Sequence, residues 1–152
     1  QKERKRFNAS SRGVDLHGYG RYLISTTTLE AGTTAEKLFR VITAGEKPLA
    51  ITQGHYIGGD SGEAMQLFLV PPNSMTEAML PSSSPGVIAM TAQGAMRGGQ
   101  GTPEEPQVVF GVPMDERWPM AVIPPFASIA CSLDASNTAA MTVTLGGFEL
   151  NA

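Results

Sequence analysis

The chain has 152 residues, of which 41% are hydrophobic and 16% charged, and its formal net charge is −3. This length predicts one domain with its own core, and 17 glycines with 11 prolines favour many turns over long helices. The single cysteine excludes an internal disulfide, which is typical of a chain folded in a reducing cytoplasm, and no apolar run approaches the roughly 20 residues that span a bilayer.

The positive charge of the chain is concentrated at its N-terminus. Residues 1–21 hold six basic side chains and two acidic ones, a net charge of +4, while the rest of the chain holds five basic and twelve acidic ones, a net charge of −7. Residues 1–21 are polar and show no sustained hydrophobic period, which predicts an extended arm that becomes ordered on a partner. The arm residues that we predict to bind this partner are Lys2, Arg4, Lys5, Arg6, Phe7, Arg12 and Tyr19.

Residues 22–152 are predicted to form one β-sandwich domain. Its first half contains four runs rich in strand-forming residues, each followed by a turn that contains glycine or proline. These predicted strands cover residues 22–29, 36–43, 49–57 and 64–70. Residues 73–86 are ambiguous, because Ser74 with Glu77 three residues later is typical of the start of a helical turn, whereas the prolines and serines at 81–85 interrupt it.

The second half of the domain contains shorter predicted strands separated by longer loops. The strands cover residues 87–92, 107–112, 118–123, 127–133 and 140–150. Residues 94–106 hold four glycines and two prolines and are predicted to be a long loop. Eight or nine short strands with turn signals between them favour an all-β fold, an antiparallel, jelly-roll-like sandwich. Because the chain ends within a predicted strand, we expect the domain to be complete there.

One short motif resembles a catalytic sequence. Gly59-Asp60-Ser61-Gly62 is similar to the segment around the nucleophile of trypsin-like proteases, but a catalytic triad also needs a histidine base and an aspartate. The two histidines are His17, in the predicted arm, and His55, six residues before the serine. A glycine-rich hairpin turn is therefore the favoured interpretation, and we predict that the protein is not an enzyme.

Metal and cofactor binding are not predicted. A structural metal site needs three or four convergent ligands, which two isolated histidines and one cysteine do not supply. Asp60 and Glu63 match no calcium-loop spacing. Cys131 lies in an apolar run, where we expect a buried, unreactive side chain.

The order of the predicted segments resembles that of small β-sandwich structural proteins of tailed bacteriophage particles. The likeness rests on four segments. They are a threonine-rich strand with an Ala-Gly-Thr-Thr-Ala turn at 26–35, a strand with an Ala-Gly-Glu-Lys turn at 38–47, a strand ending Leu-Val-Pro at 67–71, and the closing Val-Thr-Leu-Gly-Gly-Phe-Glu-Leu at 143–150. It covers roughly residues 25–72 and 118–150, while residues 73–117 depart from it through inserted loops.

This resemblance implies a jelly-roll or related sandwich present in several copies, often as trimers, on a capsid or tail. We therefore predict a non-enzymatic virion protein of the decoration (cement), head-spike or vertex type. Its arm is expected to bind the major capsid protein or another virion protein on the capsid exterior, and its sandwich to self-assemble as a homo-oligomer. Assembly in the host cytoplasm, without a membrane, follows from the same resemblance.

Two alternatives stay open at this point. The chain could be a spike or tail domain that binds host glycan, with Tyr56 and Trp118 as sugar platforms, or a coat-forming capsid subunit whose arm faces packaged genome. Nucleic acid is the less favoured partner, because few basic groups give only modest, salt-sensitive affinity for phosphate and no aromatic platform lies among them.

Overall fold

A computed structural model of the chain describes residues 19–76, 79–109 and 121–151. These ranges contain ten β-strands and no helix, which confirms the predicted all-β class. The strands are β1 (Tyr19–Leu29), β2 (Phe39–Thr43), β3 (Leu49–Gly58), β4 (Ala64–Val70), β5 (Ile88–Ala89), β6 (Met96–Arg97), β7 (Gln107–Val108), β8 (Ala121–Ile123), β9 (Ser128–Leu133) and β10 (Met141–Leu150). Within the same ranges no helix could span a membrane.

The strands form two antiparallel sheets that pack against each other. In sheet A the order is β1-β10-β3-β7, and β8 also pairs with β3; in sheet B the order is β2-β9-β4-β5, and β6 also pairs with β4. Strands β5 and β6 lie along the same edge of β4, and β7 and β8 along the same edge of β3, so each pair takes the place of one strand. Counted this way, eight strands follow the order of a jelly roll built from two Greek keys. The predicted sandwich is confirmed, and the additional tenth segment is β6, which lies in the predicted loop 94–106.

The main core lies between the two sheets, because alternate side chains of each strand point inwards. In β10, Val143 and Leu145 are fully buried, whereas Thr142 and Thr144, which alternate with them, are only partly buried. Cys131 of β9 is also fully buried, as predicted. Each large apolar side chain buried in this way contributes about 1.5–3 kcal/mol, so this alternating pattern is what holds the sheets together.

A second, smaller core covers the outer face of sheet B. The connection between β4 and β5 lies over this face, and the residues packed there are Leu38, Phe68, Val70, Ala130, Met75, Met79 and Val87. Residues 73–76 form no helix. The Ser74 hydroxyl donates to the carbonyl of Pro72 (3.2 Å) and its N–H to the carbonyl of Pro71 (3.2 Å), which makes a tight turn after the prolines. Glu77, the other half of the predicted cap, lies outside the described residues.

The boundary between the predicted arm and the sandwich differs from the structure. Strand β1 begins at Tyr19, whose backbone pairs with Leu150, so residues 19–21 of the predicted arm lie in sheet A. Residues 1–18 lie outside the described part of the chain. The positive charge at the N-terminus therefore joins the sandwich at the edge of sheet A.

The predicted long loop at residues 94–106 contains the short strand β6. Met96 is fully buried in the main core, and Gly98 lies so close to Asp60 that a Cβ at this position would collide with the Asp60 carbonyl oxygen. The glycine thus allows the loop to pack against the β3–β4 turn. Of the predicted strands 107–112 and 118–123, the described parts form β7 and β8, respectively.

Candidate interaction surfaces

The arm residues predicted to bind a partner lie almost entirely beyond the described ranges. Lys2, Arg4, Lys5, Arg6, Phe7 and Arg12 fall outside them, and for Tyr19 the structure describes only the backbone in β1. The partner-binding role of these residues stays a prediction. The structure instead shows where the chain that carries them enters the sandwich.

The entry point of this segment is fixed by an ion pair at the start of β1. The Arg21 guanidinium donates from Nε to Glu149 Oε1 (3.1 Å) and from Nη2 to Glu149 Oε2 (3.4 Å), across the β1–β10 pair. This hydrogen-bonded pairing lowers the pKa of Glu149, and the nearby charge of Lys47 acts in the same direction. The ion pair ties the edge strand to the centre of sheet A where the basic segment begins.

The outer surface of sheet A is an exposed face without Lys, Arg, Asp or Glu among its described members. Cross-strand pairing places its side chains in rows, since directly paired residues share a face of the sheet. We call this surface the sheet A face, and its residues are Tyr22, Ile24, Thr26 and Thr28 of β1, Thr142, Thr144, Gly146 and Phe148 of β10, and Gln53, His55 and Ile57 of β3.

Threonine pairs occupy the middle of the sheet A face. The hydroxyls of Thr26 and Thr144 lie 2.9 Å apart, as do those of Thr28 and Thr142, so each pair is joined by a hydrogen bond. Covering a polar group costs free energy when its hydrogen bond to water is lost without replacement. Because one hydrogen bond within each pair persists when a partner covers this face, removing water costs less here than over isolated hydroxyls.

The end of the sheet A face nearest the N-terminus is exposed and aromatic. Tyr22 packs edge-on against Phe148, with ring centroids 4.8 Å apart. Tyr22 lies across Gly146, where a Cβ would collide with the phenol oxygen. Beside it, Ile24 is 58% exposed and Tyr22 is 41% exposed. Exposed apolar groups in one contiguous patch are typical of interaction sites rather than of free surface.

The other end of the same face holds a recess of about 310 Å³. Its walls include His55 and Ile57 of β3, Thr144 of β10, and the prolines Pro103 and Pro106 from the loop before β7. The sheet A face therefore combines an exposed apolar end with a recess that has largely apolar walls.

The turn Gly59-Asp60-Ser61-Gly62 has a structural role. The Glu63 N–H donates to the Asp60 carbonyl (2.9 Å), which closes a tight turn between β3 and β4. The turn is not the predicted hairpin, because β3 and β4 lie in different sheets and do not pair with each other. The buried Glu63 carboxylate accepts hydrogen bonds from the N–H of Thr138, the N–H of Asp60 (2.7 Å) and the Thr138 hydroxyl (2.8 Å). Chiefly the Thr138 N–H lowers the pKa of Glu63, and burial opposes this effect. The carboxylate is thus occupied in joining two turns, and the described residues contain no group of three or more potential metal ligands.

Tyr56, predicted as an exposed sugar platform, is buried, and that prediction is wrong. Tyr56 is 4% exposed and lies in the main core, because it takes an inward position of β3 between the outward-facing His55 and Ile57. The second predicted platform, Trp118, lies outside the described residues.

A further recess, which the sequence analysis did not identify, lies on sheet B. A cavity of about 480 Å³ is lined by Lys37, Leu38, Phe39, Arg40, Met75 and Thr76. A neighbouring one of about 200 Å³ is lined by Arg40, Thr43, Asn73, Met75, Phe126 and Ser128. Because both share Arg40 and Met75, we treat them as one depression, the sheet B groove. Its walls come from separate parts of the chain, and no sequence motif links them.

Comparison with protein-family models and curated sequences identifies no relative of this chain. The resemblance to phage structural proteins therefore stays a prediction, and the surfaces described above carry the functional argument.

Proposed function

We propose that this chain is a non-enzymatic structural protein of a virus particle, of the decoration or vertex type. In this proposal it self-associates through the sheet A face and attaches to the particle through its basic N-terminal segment. Jelly rolls serve as viral capsid and lectin domains, but a fold alone does not determine function. The observation that carries the proposal is the exposed, uncharged and partly aromatic sheet A face.

A second copy of the chain is the partner that best suits this face. The protein has a net charge of −3, so copies repel one another at long range. The described side chains of the sheet A face carry no charge of their own and so add nothing to this repulsion, although Glu104 and Glu105 lie beside its recess. The cores of protein interfaces are depleted in charged residues and enriched in aromatic ones, and Tyr22 and Phe148 supply the latter here.

The two ends of the face permit either a two-fold dimer, in which the apolar end of each copy enters the recess of the other, or a head-to-tail contact that closes into a ring if the rotation permits. In both arrangements the exposed Tyr22–Ile24 end of one copy meets the recess beside Pro103 and Pro106 of another. We propose a trimer, which is the assembly implied by the phage resemblance.

Attachment follows from the charge and position of the N-terminal segment. It carries a net charge of +4 over residues 1–21 and joins sheet A at an edge strand, from where it can reach an acidic surface of a major capsid protein or another virion protein. Each arm alone binds weakly, but three arms in one oligomer raise the effective concentration of one another on a repeating lattice. Nucleic acid is a less favoured partner.

The test of self-association compares two exposed isoleucines by size-exclusion chromatography with light scattering. Ile24 on the sheet A face is 58% exposed, and Ile88 on β5 of sheet B is 60% exposed. We expect the full-length chain to be trimeric, Ile24→Glu to be monomeric, and Ile88→Glu to remain trimeric. A monomeric wild-type chain, or an oligomer that tolerates Ile24→Glu, contradicts the proposal.

The test of attachment removes residues 1–18, which leaves every described strand in place. We expect the shortened chain to remain an oligomer and to lose binding to virus particles that lack this protein. Full occupancy of the particles by the shortened chain rules out the arm as the anchor. The glycan alternative has lost Tyr56 as a platform, and no described surface residue favours it over assembly.

A further inference from the structure

The sheet B groove contains unusual backbone conformations. Among the described non-glycine residues, φ is positive at Glu36 (71°), Asn73 (58°) and Phe126 (65°). Asparagine tolerates this left-handed region, but a bulky aromatic residue there is an outlier. Two of the three, Asn73 and Phe126, line the groove and are joined by a hydrogen bond from the Asn73 N–H to the Phe126 carbonyl (3.1 Å).

The turn itself does not require a phenylalanine at position 126. A glycine would adopt this conformation without strain, and the backbone is already held by the bond from the Phe126 N–H to the Gly45 carbonyl (3.0 Å). Phe126 is 43% exposed, so a large part of the residue is open to a partner. Strained residues of this kind cluster at ligand clamps, so the exposed part of the ring is a candidate contact.

Two cations flank the groove. Neither Lys37 nor Arg40 forms an ion pair with another residue in the described part of the chain. The adjacent carboxylate of Glu36 lines a different cavity, together with Asp134. The groove is thus a basic site on a domain whose overall charge is negative, and its complement carries carboxylates.

The remaining lining is mainly apolar. Phe39, Met75 and Phe126 provide aromatic and thioether surface, and methionine adapts to side chains of different shape. The hydroxyls of Thr43 and Ser128 lie 2.8 Å apart and bond to each other, which leaves one hydroxyl hydrogen of the pair for a ligand, few donors for the many hydroxyls of a sugar. Two cations and one exposed ring are also too few for a nucleic acid, whose binding needs several phosphate contacts and stacked bases.

We propose that the sheet B groove binds an extended acidic protein segment. Its carboxylates pair with Lys37 and Arg40, and an apolar side chain packs against Met75 and Phe126. This inference goes beyond the proposed function, because the groove lies on the opposite sheet from the self-association face. On a particle, it gives each domain a second contact besides its N-terminal segment, and two linked contacts bind more tightly than either alone.

The test uses the full-length chain and methionine-methyl NMR. The probe is the acetylated, amidated pentapeptide Asp-Glu-Phe-Glu-Asp, and the matched peptide has serine in place of phenylalanine. Met75 reports on the groove, and Met96, fully buried in the main core, is the internal control. We expect the Met75 signal to shift with the phenylalanine peptide while the Met96 signal stays unchanged. Binding of either peptide to the basic N-terminal segment alone leaves Met75 unshifted.

Charge removal supplies the matched variants. Arg40→Gln removes a groove cation, and Arg97→Gln removes another exposed arginine on a short strand of the same sheet. We expect Arg40→Gln to weaken the binding seen at Met75 by about fivefold, the effect of one surface ion pair of about 1 kcal/mol. Arg97→Gln should leave it within about twofold of wild type.

Four results overturn the proposal. They are an unshifted Met75 at high concentrations of the phenylalanine peptide, equal losses from Arg40→Gln and Arg97→Gln, equal binding of the serine peptide, and a shift of Met75 by glucuronate at lower concentrations than by the peptide. The last result assigns the groove to an acidic sugar. None of these readouts depends on the oligomeric state, so the groove and the sheet A face are tested separately.

Discussion

The Glu63 carboxylate accepts hydrogen bonds from both the backbone N–H and the hydroxyl of Thr138, 75 residues further along the chain. These two bonds join the β3–β4 turn to the turn between β9 and β10. Each of these turns crosses from one sheet to the other, so the bonds hold sheet A and sheet B together at one end of the sandwich. Nearby, the Asn137 side chain donates to the carbonyl of Leu29 (3.0 Å) and accepts from the N–H of Thr33 (2.9 Å), which adds the β1–β2 turn to the same network.

Removing the charge of Glu63 should lower stability. In Glu63→Gln the amide oxygen can still accept from Thr138, but only one side-chain oxygen remains for donors that now bond to two, including the N–H of Asp60. A lost hydrogen bond to a charged group costs about 1.5–3 kcal/mol, and urea denaturation measures the change. The control is Glu46→Gln, which removes a carboxylate at an exposed turn and should change stability little. Gln66→Glu is not a suitable control, because the Gln66 side chain donates a hydrogen bond to the carbonyl of Thr91.

The same carboxylate should make stability fall in acid. The pKa of Glu63 is lowered by folding, relative to its ordinary value of 4.5. Its stabilising contribution is therefore complete above pH 4.5 and is lost as the pH falls through the lower, folded-state pKa. Glu149 acts in the same direction. Below pH 4.5, the wild-type free energy of unfolding should fall more steeply than that of Glu63→Gln, and parallel curves for the two proteins contradict this assignment.

A methyl group at Gly146 should disturb the aromatic end of the sheet A face. Its Cβ would meet the Tyr22 phenol and approach the Gln53 side chain, so Tyr22 must leave its position beside Phe148. We expect Gly146→Ala to cost about 1–3 kcal/mol, the usual range for overpacking, and to weaken the oligomer. Near-ultraviolet circular dichroism follows the tyrosine environment, and light scattering follows the oligomer. A glycine-to-alanine change at Gly62, where a Cβ has no neighbour within 4 Å, is the control.

Cysteine cross-linking distinguishes a ring from a two-fold dimer. The native Cys131 does not interfere, because it is fully buried and burial raises the pKa of its thiol to about 12. We expect Ile24→Cys combined with Pro106→Cys to form disulfide-linked species that end at the trimer in denaturing gels. Each single variant should give no cross-link. Cross-linking of the double variant that ends at the dimer, or efficient dimer formation by Ile24→Cys alone, shows a two-fold axis and contradicts the head-to-tail arrangement.

Much of the fold could be predicted from local patterns. Strand β4 has the predicted bounds, and β3, β9 and β10 differ by one residue at one end, because alternating apolar residues and glycine or proline turns are encoded within a few neighbouring positions. The buried state of Cys131 follows from the same reasoning. The inward position of Tyr56 could have been read from the alternation along β3, in which Tyr56 stands opposite in phase to His55 and Ile57.

Local sequence patterns therefore specify the all-β class, the turns, most strands and the separation of a basic N-terminal segment from an acidic remainder. Which strands are neighbours, and with them the candidate sites, depends on the three-dimensional fold. The threonine pairs of the sheet A face join residues more than 110 positions apart, and the sheet B groove brings Arg40, Met75 and Phe126 together. Such contacts depend on long-range strand pairing in the jelly roll, which the period of a single strand does not encode.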